Sequence, residues 1–209
     1  MPHKTWDIAI VGPGWVAGAY LEVFRKRDDV RVTHVVSSTG ASARTFVEQY
    51  NLDAAVHDNL DAALADKSVD IVGIFTPHHL HAPLAIAAAK AGKHLIVEKP
   101  LTLKLDDLRA MRAAVRQTGV KSITGFVLRW NPLLQIIRQN VADGTLGDII
   151  FAEVDYLHSI VGKTYTKAWH CSRETAGTSM LVGGCHAVDA IRFLVGKPVV
   201  EVSAMSTSR

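Results

Sequence analysis

The first 125 residues alternate short β-branched apolar runs with longer stretches whose apolar positions recur at helical spacing. Asp7 to Val11 reads as a buried strand, followed by a glycine loop and a helix from about Val16 to Lys26. Val30 to Val36 predicts a second strand, and Ser42 to Tyr50 a helix opened by a capping serine. A weaker strand at Ala55 to His57 precedes a helix at Leu60 to Ala65. Asp70 to Phe75 is a strong strand, and Pro83 to Ala91 an alanine-rich helix stopped by Gly92. His94 to Val97, a helix at Leu105 to Gln117 and a last strand at Lys121 to Gly125 complete the series. Such alternation predicts an α/β domain over residues 1–125: a parallel sheet with right-handed crossovers and helices on both faces.

The rhythm changes after Gly125. Asn131-Pro132 opens a helix running to about Asp143, and Gly144 to Gly147 turns the chain into a strand at Asp148 to His158. A polar, aromatic loop with Lys163, Tyr165 and Trp169 follows, then a helix at Ala187 to Val195 and a final strand at Val199 to Ser206. Residues 126–209 therefore read as the incomplete start of an α+β substrate domain, because two strands make a poor sheet by themselves.

Composition narrows the classes. No apolar run approaches bilayer length, and Met1 to Trp6 lacks the apolar core of a signal peptide. The net charge is +3, with basic and acidic residues interleaved rather than gathered in a basic stripe, which argues against nucleic acid as a partner. Cys171 and Cys185 fit neither a zinc spacing nor a disulfide framework, so a reducing, cytoplasmic setting is expected.

Gly12-Pro13-Gly14-Trp15-Val16-Ala17 has the form G-x-G-x-x-A between a buried strand and a helix. Gly12 permits the tight turn, Gly14 lets backbone approach a pyrophosphate, and small Ala17 lets helix and sheet pack closely. The helix N-terminus offers unpaired N–H groups and a positive dipole end to phosphates. A Rossmann domain binding NAD or NADP is the expectation. The second strand ends in Val36-Ser37-Ser38, without the acid that usually holds the adenine ribose of NAD. Ser37 thus leaves room for a 2′-phosphate and Arg44 is close enough to neutralise it, which favours NADP; Arg44 also reads as a plain solvated helix residue.

Ligands of open parallel sheets sit at the carboxyl ends of strands. Thr76-Pro77-His78-His79-Leu80-His81 and Glu98-Lys99-Pro100 both fall there. Three histidines in four residues suggest a metal, but no set of acids or cysteines accompanies them, and the loop is read as metal-free. An ammonium at Lys99 is placed to polarise a substrate oxygen, or to form an ordinary loop ion pair with Glu98.

Four segments taken together, GPGWVA at 12–17, TPHHLHAPLAIAAAKAGKHLIVEKP at 76–100, GFVLRWNP at 125–132 and GGCHAVDAIRF at 183–193, resemble the Gfo/Idh/MocA oxidoreductases. This is the group containing glucose–fructose oxidoreductase and inositol dehydrogenase. The resemblance implies that Glu98-Lys99-Pro100 is the active-site tripeptide, often with a cis Lys–Pro bond. Lys99 would contact substrate and nicotinamide ribose, and His186 would be the acid/base in the same crevice. The implied cofactor set is Gly12, Gly14, Trp15, Val16, Ser37, Arg44, Thr76, Pro77, His81, Glu98 and Lys99. The implied reaction moves a hydride between the nicotinamide and a hydroxyl or keto carbon of a sugar, cyclitol or related polyol.

Three departures stand out. Val182 occupies the place, four residues before the histidine, where many members carry an aspartate. His78 replaces an asparagine after Thr-Pro. The chain also stops where the substrate domain's sheet begins, so it reads as a fragment of a longer, homo-oligomeric protein with an unpaired strand edge. A non-catalytic NAD(P)-binding regulator and an NAD-dependent glycoside-cleaving relative are the alternatives.

Overall fold

The computed structural model describes residues 4–157 and 167–205. Contacts divide the chain into two units, one of residues 1–125 with 161–178 and the other of residues 126–160 with 179–209.

The first unit is built on six strands: β1 (Trp6–Val11), β2 (Val30–Val36), β3 (Ala55–His57), β4 (Val69–Ile74), β5 (His94–Val97) and β6 (Ser122–Thr124). All pairings are parallel, in the order β3-β2-β1-β4-β5-β6. The chain therefore reverses its direction of travel across the sheet between β1 and β4, the dinucleotide-binding arrangement. Apolar residues of β1 and β4 are buried because helices cover both faces. On one face α1 (Trp15–Phe24) and α2 (Ala41–Tyr50) pack Ala17, Leu21, Ala43 and Phe46 against Ile8, Ile10, Val32 and Val35. On the other lie α3 (Asp61–Ala65), α4 (His81–Lys90) and α5 (Leu105–Thr118). Their small residues Ala63, Ala85, Ala88, Ala89 and Ala114 share a core with Val11, Val72, Ile74, Leu95 and Val97.

Element order and type follow the sequence pattern closely through β6. One local assignment is corrected: Ser42 does not cap α2. The helix starts at Ala41 after Gly40 in the left-handed conformation, and the buried Ser37 hydroxyl instead accepts the Ala43 N–H at 3.1 Å. A serine at the end of the preceding strand reaches an orphan helix donor that the periodicity does not assign to it.

Residues 167–178, expected to belong with the C-terminal part, pack on the first unit. The His79 N–H donates to the Thr175 carbonyl at 3.3 Å. His78 Nδ1 donates to the Ala176 carbonyl at 2.8 Å, and Trp169 meets the His78 ring edge-on.

The second unit contains α6 (Pro132–Ala142), capped by the Asn131 side chain accepting the Leu133 N–H, and α7 (Cys185–Val195), which ends at Gly196 in the left-handed conformation. The strands expected at 148–158 and 199–206 do not form over their described residues. Ile150, Phe151, Leu157, Val200, Val202 and Met205 are exposed there. Alternating apolar positions specify a one-sided surface, but a strand exists only where a neighbour completes its hydrogen-bond ladder. His158, Lys163, Tyr165 and Ser206 lie outside the described residues. No helix among the described residues is long and apolar enough to cross a membrane.

The His78 environment yields a stability test. Burial, more than any other influence, lowers its pKa to about 4 from the usual 6.5. The unfolded chain therefore binds the proton more readily than the folded one between those values. Stability contributed by this site is complete above pH 6.5 and is lost as pH falls toward 4. His78→Asn, which keeps a donor for the Ala176 carbonyl, should flatten the fall in melting temperature across that window. An unchanged slope would show that other groups set the acid sensitivity.

Candidate active site

The glycine loop leaves β1 at the switch point. Gly12 has φ +83°, and its N–H donates to the Val36 carbonyl at 3.0 Å. A Cβ there would lie 2.8 Å from the Phe75 carbonyl carbon and the Thr76 nitrogen, so only glycine allows β1 to run so close to the end of β4. Gly14 differs. Its backbone is extended, and a Cβ would meet nothing within 4 Å. That open space lies at the start of α1, whose first turn receives no side-chain cap. A pyrophosphate fits this donor set without displacing protein atoms. Trp15 is 81% exposed beside it, whereas Val16 packs toward the core.

Beyond the end of β2, Ser37 is buried with its hydroxyl turned to α2, while Arg44 is exposed on the first turn of that helix. No acid follows β2 directly along the chain, but Asp58, just past the paired strand β3, lies beside Gly40.

The loop after β4 carries Thr76 and Pro77, both half-buried, and a 3-10 turn at His78–Leu80. His81 is fully buried, with Nδ1 2.8 Å from the Pro100 carbonyl oxygen and Nε2 2.8 Å from that of Thr76. Burial lowers its pKa. The neutral ring donates to only one of these carbonyls, and it packs between the loop after β4 and the loop after β5. It supports the site from behind.

Glu98, Lys99 and Pro100 follow β5, and the Lys99–Pro100 bond is cis. The Glu98 carboxylate is 9% exposed; it accepts the Tyr20 hydroxyl at 3.0 Å and the Lys99 N–H at 3.1 Å. Burial raises the Glu98 pKa, opposed by those two hydrogen bonds and by the charge of Lys99. Burial and then the Glu98 charge push the Tyr20 phenol well above its usual range. Lys99 itself is half-buried. Thus the sequence-read cofactor residues of the first unit gather at the carboxyl ends of β1, β2, β4 and β5.

In the second unit, His186 is 6% exposed, with its ring stacked on Tyr156 at 5.1 Å and Phe126 edge-on at 6.2 Å. A helix beginning at Ala187, as the sequence pattern has it, would set His186 at its positive end, where neutral imidazole is favoured. Instead α7 is preceded by a π-helical turn at Met180–Gly184, which places His186 more than a turn inside the helical run. The dipole effect is confined to the terminal turn, so it does not act on this ring. Val182 lies in that π turn, where its carbonyl accepts the Cys185 thiol at 3.9 Å. Asp189 is buried and held by Arg129 through two hydrogen bonds, Nε to Oδ2 at 2.8 Å and Nη2 to Oδ1 at 2.6 Å. This pairing raises the Arg129 pKa and links the 3-10 turn Val127–Trp130 to α7.

Tyr20, Phe126, Tyr156 and Arg129 were not singled out from the sequence. Tyr20 has a signal, lying at helical spacing from Ala17 on α1; that spacing predicts a core-facing ring without naming its partner. Nothing local marks Tyr156, which falls in the stretch read as an ordinary strand.

Known proteins place this geometry. The chain is 33% identical over 144 residues to levoglucosan dehydrogenase of Pseudarthrobacter phenanthrenivorans, covering 68% of this chain and 37% of that protein. It is 28% identical over 195 residues to 1,5-anhydro-D-fructose reductase of Ensifer adhaerens, covering 93% and 56%. A solved levoglucosan dehydrogenase in complex with NADH superposes with a TM-score of 0.81 at 25% identity, covering 93% of this chain and 55% of that one. The chain spans about half the length, or less, of these relatives. Residues 6–126 match the model of an oxidoreductase family with an NAD-binding Rossmann fold, and residues 134–209 match that family's C-terminal domain. The chain belongs to the Gfo/Idh/MocA oxidoreductases and carries their NAD-binding Rossmann fold.

Proposed function

We propose that this chain takes part in hydride transfer between NAD(P) and a hydroxyl or keto carbon of a sugar, cyclitol or related polyol. One observation carries the reading: the glycine loop, the end of β2 and the Lys99 loop share the carboxyl edge of one parallel sheet, with the switch point between β1 and β4. The names of the relatives, an anhydrosugar dehydrogenase and an anhydrosugar reductase, support the substrate class.

Gly12, Gly14 and the first turn of α1 would hold the pyrophosphate. Ser38, Thr39 and Arg44 would border the adenine ribose, because the Ser37 hydroxyl is committed to α2. The nicotinamide, when bound, accepts or returns the hydride. Lys99 stabilises negative charge as the substrate oxygen becomes an alkoxide. The family resemblance gives His186, in the second unit, the role of taking the hydroxyl proton in oxidation and giving it back in reduction. Tyr156 and Phe126 hold its ring plane.

Absorbance at 340 nm, followed with NAD or NADP and a panel of anhydrosugars, aldoses and inositols, tests the reaction. Cofactor binding without absorbance change on any of them would favour a regulator. Sugar release without net reduced cofactor would favour glycoside cleavage.

Three variants and ligands sharpen this. Gly14→Val should melt like the parent, because its Cβ direction is open, yet lose NADH fluorescence titration by about a hundredfold in affinity. Equal binding would remove the glycine loop from the cofactor site. Lys99→Met should lower kcat by about 100-fold or more while NADH affinity holds, as expected for a group acting on developing charge. Parallel loss of both would make Lys99 a structural residue. Finally, NADP should bind at least as tightly as NAD, because Ser37 stands where β2 would carry the ribose-binding acid and Arg44 is exposed nearby. A clear preference for NAD in competition titrations would show that Arg44 does not meet the ribose.

A further inference from the structure

Tyr20 lies on α1, the helix that opens at the glycine loop, yet its hydroxyl donates not to its own helix or to solvent but to Glu98 at the end of β5. The carboxylate is buried, and each of its oxygens has one donor: Oε1 the Tyr20 hydroxyl, Oε2 the N–H of Lys99. It sits directly over Gly125, just past β6. A Cβ on that residue would lie 2.2 Å from Oε1 and 2.7 Å from the carboxyl carbon, so the carboxylate fills the volume a side chain would take. The Tyr20 ring is held in turn by Phe75, 4.7 Å away between ring centroids. Gly73 makes room for Phe75, since a Cβ there would lie 2.7 Å from its ring.

One carboxylate thus joins α1, the end of β5 and the end of β6. A buried carboxylate whose hydrogen bonds are both made has a single stable orientation, because breaking either bond leaves charge or a donor unsatisfied. Its Oε2 bond fixes the Glu98–Lys99 peptide, and therefore the base of the Lys99 side chain. We infer that Tyr20 is a positioning residue, whose hydroxyl holds Glu98 over Gly125 and so sets the Lys99 backbone at a fixed height above the helix that follows the glycine loop. Lys99 is then registered to the cofactor's phosphates through protein alone. The kinetic half of the test rests on the redox reading above; the exchange half does not.

The test uses the full chain and the variants Tyr20→Phe and Glu98→Leu. Tyr20→Phe keeps the ring on Phe75 and removes only the donor. Amide hydrogen exchange of Lys99 should accelerate at least about tenfold, the loss of one hydrogen bond to a charged group, while exchange within α1 is unchanged. NADH affinity, read by fluorescence, should stay at the parental value. With whichever sugar or polyol the parent turns over, kcat should fall at least about tenfold at constant KM for the cofactor. A residue that merely stabilised the fold would instead accelerate exchange along α1 and weaken NADH binding. Glu98→Leu removes the acceptor of the Lys99 N–H together with that of the Tyr20 hydroxyl, so it should give at least the same local exchange effect. The double variant should be no worse than the more damaged single one, as for two residues acting through one bond. Unchanged Lys99 exchange in Tyr20→Phe, or additive effects in the double variant, would overturn the inference. If Tyr20→Phe does not fold, Glu98→Leu decides alone, and unchanged Lys99 exchange in it is the overturning result. Absence of turnover by the parent would sink the redox reading and leave the exchange result to decide this one.

Discussion

The contact on which the first unit depends is the approach of Gly12 to the peptide joining Phe75 and Thr76. β1 lies between β2 and β4, and at its end the backbone must leave the sheet plane without touching the strand beside it. The Gly12 N–H still donates to Val36 across one side, and the Phe75 N–H donates to Val11 across the other. A side chain at Gly12 would collide with backbone on the β4 side. Keeping β1 paired to its very end brings the glycine loop beside Thr76 at the switch point of the sheet.

Behind this edge the polar groups form a support rather than a reacting set. The His81 ring packs between the Thr76 and Pro100 carbonyls and donates to one of them, and Glu98 bridges Tyr20 and the Lys99 backbone. Both side chains are buried, where an unmade hydrogen bond is costly, so the loops they tie have few alternative positions. Two loops that emerge from different strands are thereby held close to one another at the carboxyl edge of the sheet. In the second unit the Arg129–Asp189 pair does similar work for α7, fixing the helix on which His186 sits. The aromatic walls on either side of that ring restrict its plane.

The substitution at Val182 has a structural context. It belongs to a π-helical turn, a widened segment in which one extra residue is accommodated before α7 begins. The same turn carries His186 away from the helix terminus, beyond the reach of the helix dipole. Its ring packs against Tyr156 and Phe126.

Order and type of the elements through β6 were legible because they depend on local periodicity, which a parallel sheet buried on both faces makes strong. The glycine loop was legible for the same reason, since its requirements of a tight turn and a small third residue lie within six positions. The gathering of cofactor residues at one sheet edge followed from topology, because strands joined by right-handed crossovers all end on the same side. What only the tertiary structure decided are pairings between distant residues with no sequence spacing to announce them. Ser37 capping α2 in place of Ser42, His78 anchoring residues 167–178, and Tyr20 reaching Glu98 across 78 positions are of this kind. The expected strands at 148–158 and 199–206 show the same limit from the other side. Alternation of apolar and polar residues sets which face a strand would present, but the ladder that makes it a strand is a property of its neighbour.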